Sequence, residues 1–405
     1  MSKTGITPLH PMTLRIKLRK INYLNCIDEA IIFVFLITNA YVRIVENNSA
    51  MLLVSAACLS IAGAYNLIKA TVHNEHKIVL VSGLFVFFWI IEILARPTWQ
   101  YEFKYLVSSL CYIGVAYSFC SNKRIIAPYK ALYYGVCLFL IIQLRVFRVH
   151  YSEIMKEGSS YNYISVVVLF YLLLLNFVQI ENGKELEFIP GLLFLIVCIF
   201  SYGRGGIVTA LIYCGSVFFA KAYYYRTKKE MYAAGLGLVI ATIFMMRRHL
   251  SSLTRSGLLN KFFLYGFDSN GRMGIWAQFL STCKRSFGDF ILGGDPRTLE
   301  YADYNMHNSY LQLYASLGLF LTVFLVAFFM KRITGYIHNR EAWMLVIAVS
   351  FIARSMTDKI MFRGYNEIIF YILLFYGSTM RKNVPLEEPA QKDIRKGTIQ
   401  GWDGV

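Results

Sequence analysis

Long runs of uninterrupted apolar residues, set apart by short charged gaps, recur along almost the whole chain, for example Ile78–Leu94 and Leu311–Met330. A bilayer core about 30 Å thick is crossed by roughly 20 helical residues, so runs of this length fit a membrane. Water is absent from that core, and backbone groups must pair within a helix or a closed barrel. The runs are continuous rather than alternating, which selects helices. A composition of 57% hydrophobic and 16% charged residues, with mean hydropathy +0.48, agrees.

The expected fold is an all-α integral membrane protein with about 12 transmembrane helices. They are expected near 27–45, 51–68, 78–95, 105–120, 131–147, 162–180, 188–200, 207–222, 231–246, 308–330, 342–353 and 366–380. The runs at 188–200 and 342–353 are short enough to be tilted, broken or interfacial. In domain terms, 1–246 carries spans 1–9 and 247–307 forms one long loop between spans 9 and 10. Residues 308–380 carry spans 10–12, and 381–405 form a solvated tail. No internal repeat and no soluble domain is visible. The basic start of the chain leads into an uncleaved span without a small-residue cleavage site.

A net charge of +17 raises nucleic acid as a partner. The basic residues flank apolar runs, however, which is the pattern of topology and lipid headgroup contact, so no nucleic-acid partner is expected. With both termini cytoplasmic, 23 of the 41 basic residues fall on cytoplasmic segments. Eight of the remainder lie in the long loop, and long loops weigh little in setting orientation. This arrangement puts Arg204 and the 247–307 loop on the periplasmic side, where so many cations need a reason other than topology. Of the eight cysteines, seven lie in or at the ends of apolar runs, with no spacing of the disulfide or zinc kind. Within the loop, Ile275, Trp276, Phe279, Leu280, Cys283 and Phe287 fall at helical spacing. They predict a helix lying in the headgroup region or packed on the bundle.

Three residues stand out chemically. Arg204, in Ser201-Tyr202-Gly203-Arg204-Gly205-Gly206, sits at the end of a span, where a guanidinium is costly unless it is paired or faces a cavity. Its planar fork of donors suits phosphate, and the glycines allow close approach of a ligand. Arg272 follows Gly271 and opens the Ile275-Trp276 helix, where anions are favoured. His307, followed by Asn308, opens the tenth span and can hold a proton near neutral pH or donate a hydrogen bond. Taken singly, each has a plainer reading: a snorkelling arginine, one solvated loop cation, and a structural interface histidine. No His, Cys or carboxylate cluster at ligand spacing supports a metal. Asp28-Glu29 and Glu92 read as packing residues. Arg354, Asp358 and Arg363 either pair with one another or line the same cavity.

Together the motifs resemble the O-antigen ligase and O-antigen polymerase superfamily. Ser201 to Gly206 is similar to that family's Ser-x-Ser-Arg-Gly-Gly signature, with Gly203 in place of the second Ser. Gly271-Arg272 with Ile275-Trp276, the glycine turn Gly293-Gly294-Asp295-Pro296, and His307-Asn308-Ser309-Tyr310-Leu311 leading to Gly318 resemble its other elements. The motifs cover roughly 190–330. The resemblance implies a bacterial inner-membrane glycosyltransferase of the C-type (GT-C-like) fold class. Its donor would be an undecaprenyl-diphosphate-linked oligosaccharide on the periplasmic face, used without cofactor or metal.

It further implies that Arg204 and Arg272 bind the diphosphate and that His307 sits at the reaction centre. Asn308 and Arg297 complete the expected substrate-binding set, while Asp295 has no assigned role. The expected partners are the donor lipid, an acceptor glycan or lipid A-core, membrane lipids and, as a candidate, a chain-length regulator. Arg272 and His307 are only 35 positions apart. A loop that compact favours a repeat-unit polymerase over a ligase, which must also accommodate lipid A-core. A transporter of lipid-linked sugars is the reading from another class. Against it stand the lack of half-to-half symmetry and the gathering of polar residues on one face.

Overall fold

The computed structural model describes residues 23–45, 48–95, 99–149, 154, 161–224, 272–294, 306–362 and 364–377. Among these residues the chain is all-helical, with no strand. The helices are α1 (Tyr23–Ile44), α2 (Ser49–Val72), α3 (His76–Ala95), α4 (Trp99–Ser121), α5 (Ile126–Ile141), α6 (Tyr161–Glu181) and α7 (Phe188–Phe200). They continue with α8 (Arg204–Tyr224), α9 (Arg272–Cys283), α10 (Phe287–Leu292), α11 (Ser309–His338), α12 (Ala342–Ser355) and α13 (Glu367–Phe375). Each expected apolar run within the described residues coincides with a helix, whereas the run at 231–246 lies outside them. Among the described residues, six helical stretches are long and apolar enough to cross a membrane: Ser49–Val72, Phe103–Ser121, Ile126–Val146, Tyr163–Glu181, Arg204–Ala222 and Ser309–His338. His76–Ile91, Phe188–Phe200 and Ala342–Ser355 are shorter apolar helices.

The centre of the bundle is α6. Its sequence is apolar on every side, as a helix surrounded by other helices must be, and it is buried almost throughout. Single hydrogen bonds fix its rotation. The Tyr171 hydroxyl donates to the Leu36 carbonyl of α1 at 2.9 Å, and Asn176 Nδ2 donates to the Tyr213 hydroxyl of α8 at 2.9 Å. α2 and α4 cross where Gly63 meets Gly114, backbone against backbone, with the Cys111 Cα only 2.5 Å from where a Gly63 side chain would begin. Small residues allow such an approach, and dispersion then does the work that the hydrophobic effect cannot do between helices in lipid.

One local geometry and two boundaries differ from the expectation. α5 does not stop cleanly but continues as a π-turn over Ile142–Val146, which carries the Arg145 guanidinium 4.0 Å above the Phe200 ring at the end of α7. α11 runs on to His338 through a break at Gly318 (φ 70°, ψ 178°). The last run gives only the nine-residue α13, because Tyr376 leaves helical geometry and Gly377 takes a φ of 73°. Before α13 the chain is irregular yet buried, with Ile360, Met361, Phe362 and Tyr365 each at most 2% exposed. Irregular backbone of this kind in an apolar bundle requires protein on all sides.

The loop helix also differs. The helical spacing from Ile275 to Phe287 is split into α9 and α10, because Ser286 turns extended and caps a new start by accepting from Asp289 N at 3.0 Å. The α9 face bearing Ile275, Phe279 and Cys283 packs on Met306, Leu311, Tyr314 and Ala315. That face is bundle packing, while Met273, Leu280 and Phe287 are exposed.

Away from Arg204, a polar network closes the other end of the bundle. Asp28, 3% exposed, accepts from Asn66 Nδ2 at 2.6 Å and from the Ser118 hydroxyl at 2.5 Å. Ser118 in turn accepts from Arg124 Nη2 at 2.7 Å, and Arg124 lies over the Phe119 ring at 4.1 Å. Arg43 follows Asp28 on α1 by fifteen positions, about 22 Å at 1.5 Å per residue. Arg43, at the far end, lies 6.0 Å from the Tyr163 ring centre in the first turns of α6.

Candidate functional site

The Ser201–Gly206 turn separates two antiparallel helices. Tyr202 adopts a φ of 55°, and the chain then enters α8 at Arg204, which is half-buried. The following glycines are used for close approach. A side chain at Gly206 would collide with Ser165 of α6, and one at Gly205 would collide with the Arg354 guanidinium at the end of α12. The first turn of α8 is therefore laid directly on α6 and α12.

His307 is reached from a different part of the chain and is equally constrained. The residue before it, Met306, is fully buried and held from both sides. Its carbonyl accepts from Trp276 Nε1 of α9 at 2.8 Å, and its N–H donates to Gln312 Oε1 at 3.1 Å. His307 then takes a φ of 48°, and Asn308 caps α11, its Oδ1 accepting from Tyr310 N at 2.9 Å and Leu311 N at 3.1 Å. This is the side-chain cap that satisfies the open N–H groups of a first helical turn. The site histidine thus occupies a left-handed backbone position immediately outside a helix N-terminus.

The turn after α12 joins the two motif segments. Ser309, fully buried, donates to the Asp358 carbonyl at 2.6 Å and accepts from Ile360 N at 2.8 Å and Met361 N at 3.2 Å. Asn308 Nδ2 donates to the Met356 carbonyl at 3.4 Å. Arg354, itself fully buried, donates from Nη2 to Asp358 Oδ2 at 3.1 Å and from Nη1 to Thr357 Oγ1 at 3.3 Å. Of the two readings of Arg354 and Asp358 open in the sequence, pairing is the one seen; Arg363 lies outside the described residues.

Glycines also dock the loop helices. Gly293, the left-handed cap of α10 (φ 91°), sits against the Tyr314 backbone, where any side chain would overlap the carbonyl. Gly318 has the Ile291 carbonyl 2.7 Å from where its side chain would begin. The Tyr314 hydroxyl donates to the Phe290 carbonyl at 2.5 Å. The glycine turn and the break in α11 are one contact, made twice.

The sequence candidates are accordingly distributed as follows. Arg204, His307 and Asn308 are brought to one end of the bundle through the 354–361 turn. Arg272 is the first residue of α9, one helical turn before the Trp276 that holds Met306. Arg297 lies outside the described residues, as do Asp295 and Pro296. Among the described residues, no three His, Cys, Asp or Glu side chains converge to hold a metal ion. Three helices, α8, α9 and α11, begin at this end, and the positive ends of their dipoles favour an anion.

Sequence reasoning did not single out Gln312 or Ser309. The signal for both was present, since each is a polar residue at the start of an apolar run and must be satisfied when buried. No family model matches the chain, and no curated protein matches it.

Proposed function

We propose that the chain is a membrane-embedded, inverting glycosyltransferase. It polymerises undecaprenyl-diphosphate-linked oligosaccharide repeat units of O-antigen or another surface polysaccharide on the periplasmic face. The observation that carries this reading is that the Arg204 turn and the His307–Ser309 segment, about a hundred residues apart in sequence, meet on a single turn at residues 354–361. An anion-binding arginine and a proton-holding group at one end of an apolar bundle suit a lipid-linked diphosphate at the headgroup plane.

In this reading Arg204 and Arg272 bind the diphosphate, and Arg297 and Asn308 assist in holding substrate. The acceptor hydroxyl oxygen attacks the anomeric carbon opposite the diphosphate. The carbon–oxygen bond to phosphate breaks, and its electron pair stays on the departing polyprenyl diphosphate, where the arginines offset the developing charge. The hydroxyl proton passes to His307, and the anomeric centre inverts. Diphosphate is a good leaving group, so the hydroxyl needs only modest activation.

Substitution of Arg204, Arg272 or His307 by Ala should abolish glycan product while membrane insertion persists. Normal polymer in all three variants would overturn the reading. The product lost in cells defines the reaction further. Lipid A-core carrying a single repeat marks a lost polymerase, and bare core with lipid-linked polymer accumulating marks a lost ligase.

A further inference from the structure

The Arg354–Asp358 pair is an unusual thing to build into an apolar bundle. Two buried charges lose their hydration, and a well-packed apolar pair of the same volume is often no less stable. Retaining the ions calls for something that packing alone does not supply. Their surroundings provide it. On one side the guanidinium lies against Gly205, its Nη1 2.4 Å from where a side chain there would begin, with Thr357 Oγ1 3.3 Å from the same point. On the other side the backbone from Asp358 to Met361 receives Ser309 through three hydrogen bonds, and Asn308 Nδ2 donates to the Met356 carbonyl just before it. Within the turn, Asp358 Oδ1 accepts from Lys359 N at 3.0 Å while Oδ2 holds Arg354. The ion pair is the rigid middle of a strut whose two ends are the first turns of α8 and α11.

We propose that Arg354 and Asp358 are positioning residues that set the separation and relative orientation of Arg204 and His307. The catalytic consequence rests on the function proposed above; the structural consequence does not. Each motif keeps its own local supports when the pair is removed. Gly206 still seats the first turn of α8 on Ser165, and Asn308 still caps α11. What is lost is the register between them. Donor binding by the arginine side is therefore retained, while transfer, which needs both halves aligned, is not. Misplacement by about 1 Å of a group in a reacting constellation lowers turnover by about 10²-fold.

The test uses the full chain in lipid nanodiscs, as wild type, Arg354→Met and Gly205→Ala. The second substitution leaves both charges in place and displaces the guanidinium with a single methyl group, and it serves if Arg354→Met does not fold. Two readouts are taken. The first is amide hydrogen exchange at Ile207 and Gln312, whose N–H groups donate to the Gly203 and Asn308 carbonyls at 2.9 Å and close the opening turns of α8 and α11. The second is turnover and affinity for an undecaprenyl-diphosphate-linked oligosaccharide. The expected result is faster exchange at both amides together, with kcat lowered about 10²-fold and donor affinity within about 2-fold of wild type. Exchange that rises at one amide only, or at neither, overturns the strut. So does a loss of donor affinity in step with kcat. If the wild type neither binds nor uses the donor, the proposed function fails, and the exchange measurement still decides the strut.

Discussion

At the Asp28 end of the bundle a carboxylate is enclosed by donors from its own neighbourhood. Asn66, Ser118 and, through Ser118, Arg124 close it in, and the network answers its own charge. At the Arg204 end a buried ion pair, Arg354–Asp358, is joined by close contacts at glycines and by side chains that bond to backbone. Gly293 and Gly318 let backbones touch where a methyl group would not fit, Gly205 lies against the Arg354 guanidinium, and Tyr202 and His307 hold left-handed conformations beside helix starts. The first construction satisfies a buried charge within its own surroundings. The second fixes the positions of particular atoms, which is what a reaction centre requires and what stability alone does not. Backbone held in sparsely populated conformations persists only where its surroundings over-determine it. Trp276, Gln312 and Ser309 supply that constraint around His307.

Substitutions should separate the two ends, and the largest effect is expected at the end proposed to carry the reaction. Arg204→Ala or His307→Ala is expected to lower polymer formation by at least about 10²- to 10³-fold, the loss typical of one group that stabilises developing charge. Melting of the purified variant should stay close to wild type, and an equal loss from Asn66→Ala at the other end would erase the distinction. Gly293→Ala comes next. It forces a side chain into the Tyr314 backbone at a φ of 91° and should cost at least about 1–3 kcal/mol, read as earlier proteolysis between α10 and α11. Unchanged protection there would show that the glycine contact is not what docks the loop.

Asn66→Ala and Ser118→Ala should each destabilise by about 1–3 kcal/mol, because Asp28 is left buried with a donor missing. Activity per folded molecule should not change. Smallest of all is Lys130→Ala. Its bond to Glu187 measures 2.7 Å, but both side chains are 40% exposed, so a loss below about 1 kcal/mol is expected in thermal unfolding.

Much of the helical layout was legible because hydropathy reports directly which segments are apolar. The run from Tyr163 to Gln179 reads as a buried helix for the same reason that it is one. The breaks were harder. Gly318 lies inside an apolar run, and nothing local says that its partner is Ile291. α13 is short because of Tyr376 and Gly377, while apolar composition continues through its neighbours. At the site, Arg204 and His307 could be picked out because charge or a titratable ring at the edge of an apolar run is costly. Their meeting point could not be read in the same way. It depends on Arg354 lying against Gly205, a contact between residues about 150 positions apart that leaves no periodic trace in the chain. Ser309 was visible only as part of a motif, although it makes the bonds that bring α11 to the 354–361 turn.

The most direct test is reconstitution of the purified chain in vesicles with a labelled undecaprenyl-diphosphate-linked repeat unit and no nucleotide sugar. The account predicts lipid-linked glycans of increasing length with wild type and none with Arg204→Ala. Movement of the labelled lipid across the bilayer with no new glycosidic bond would contradict it.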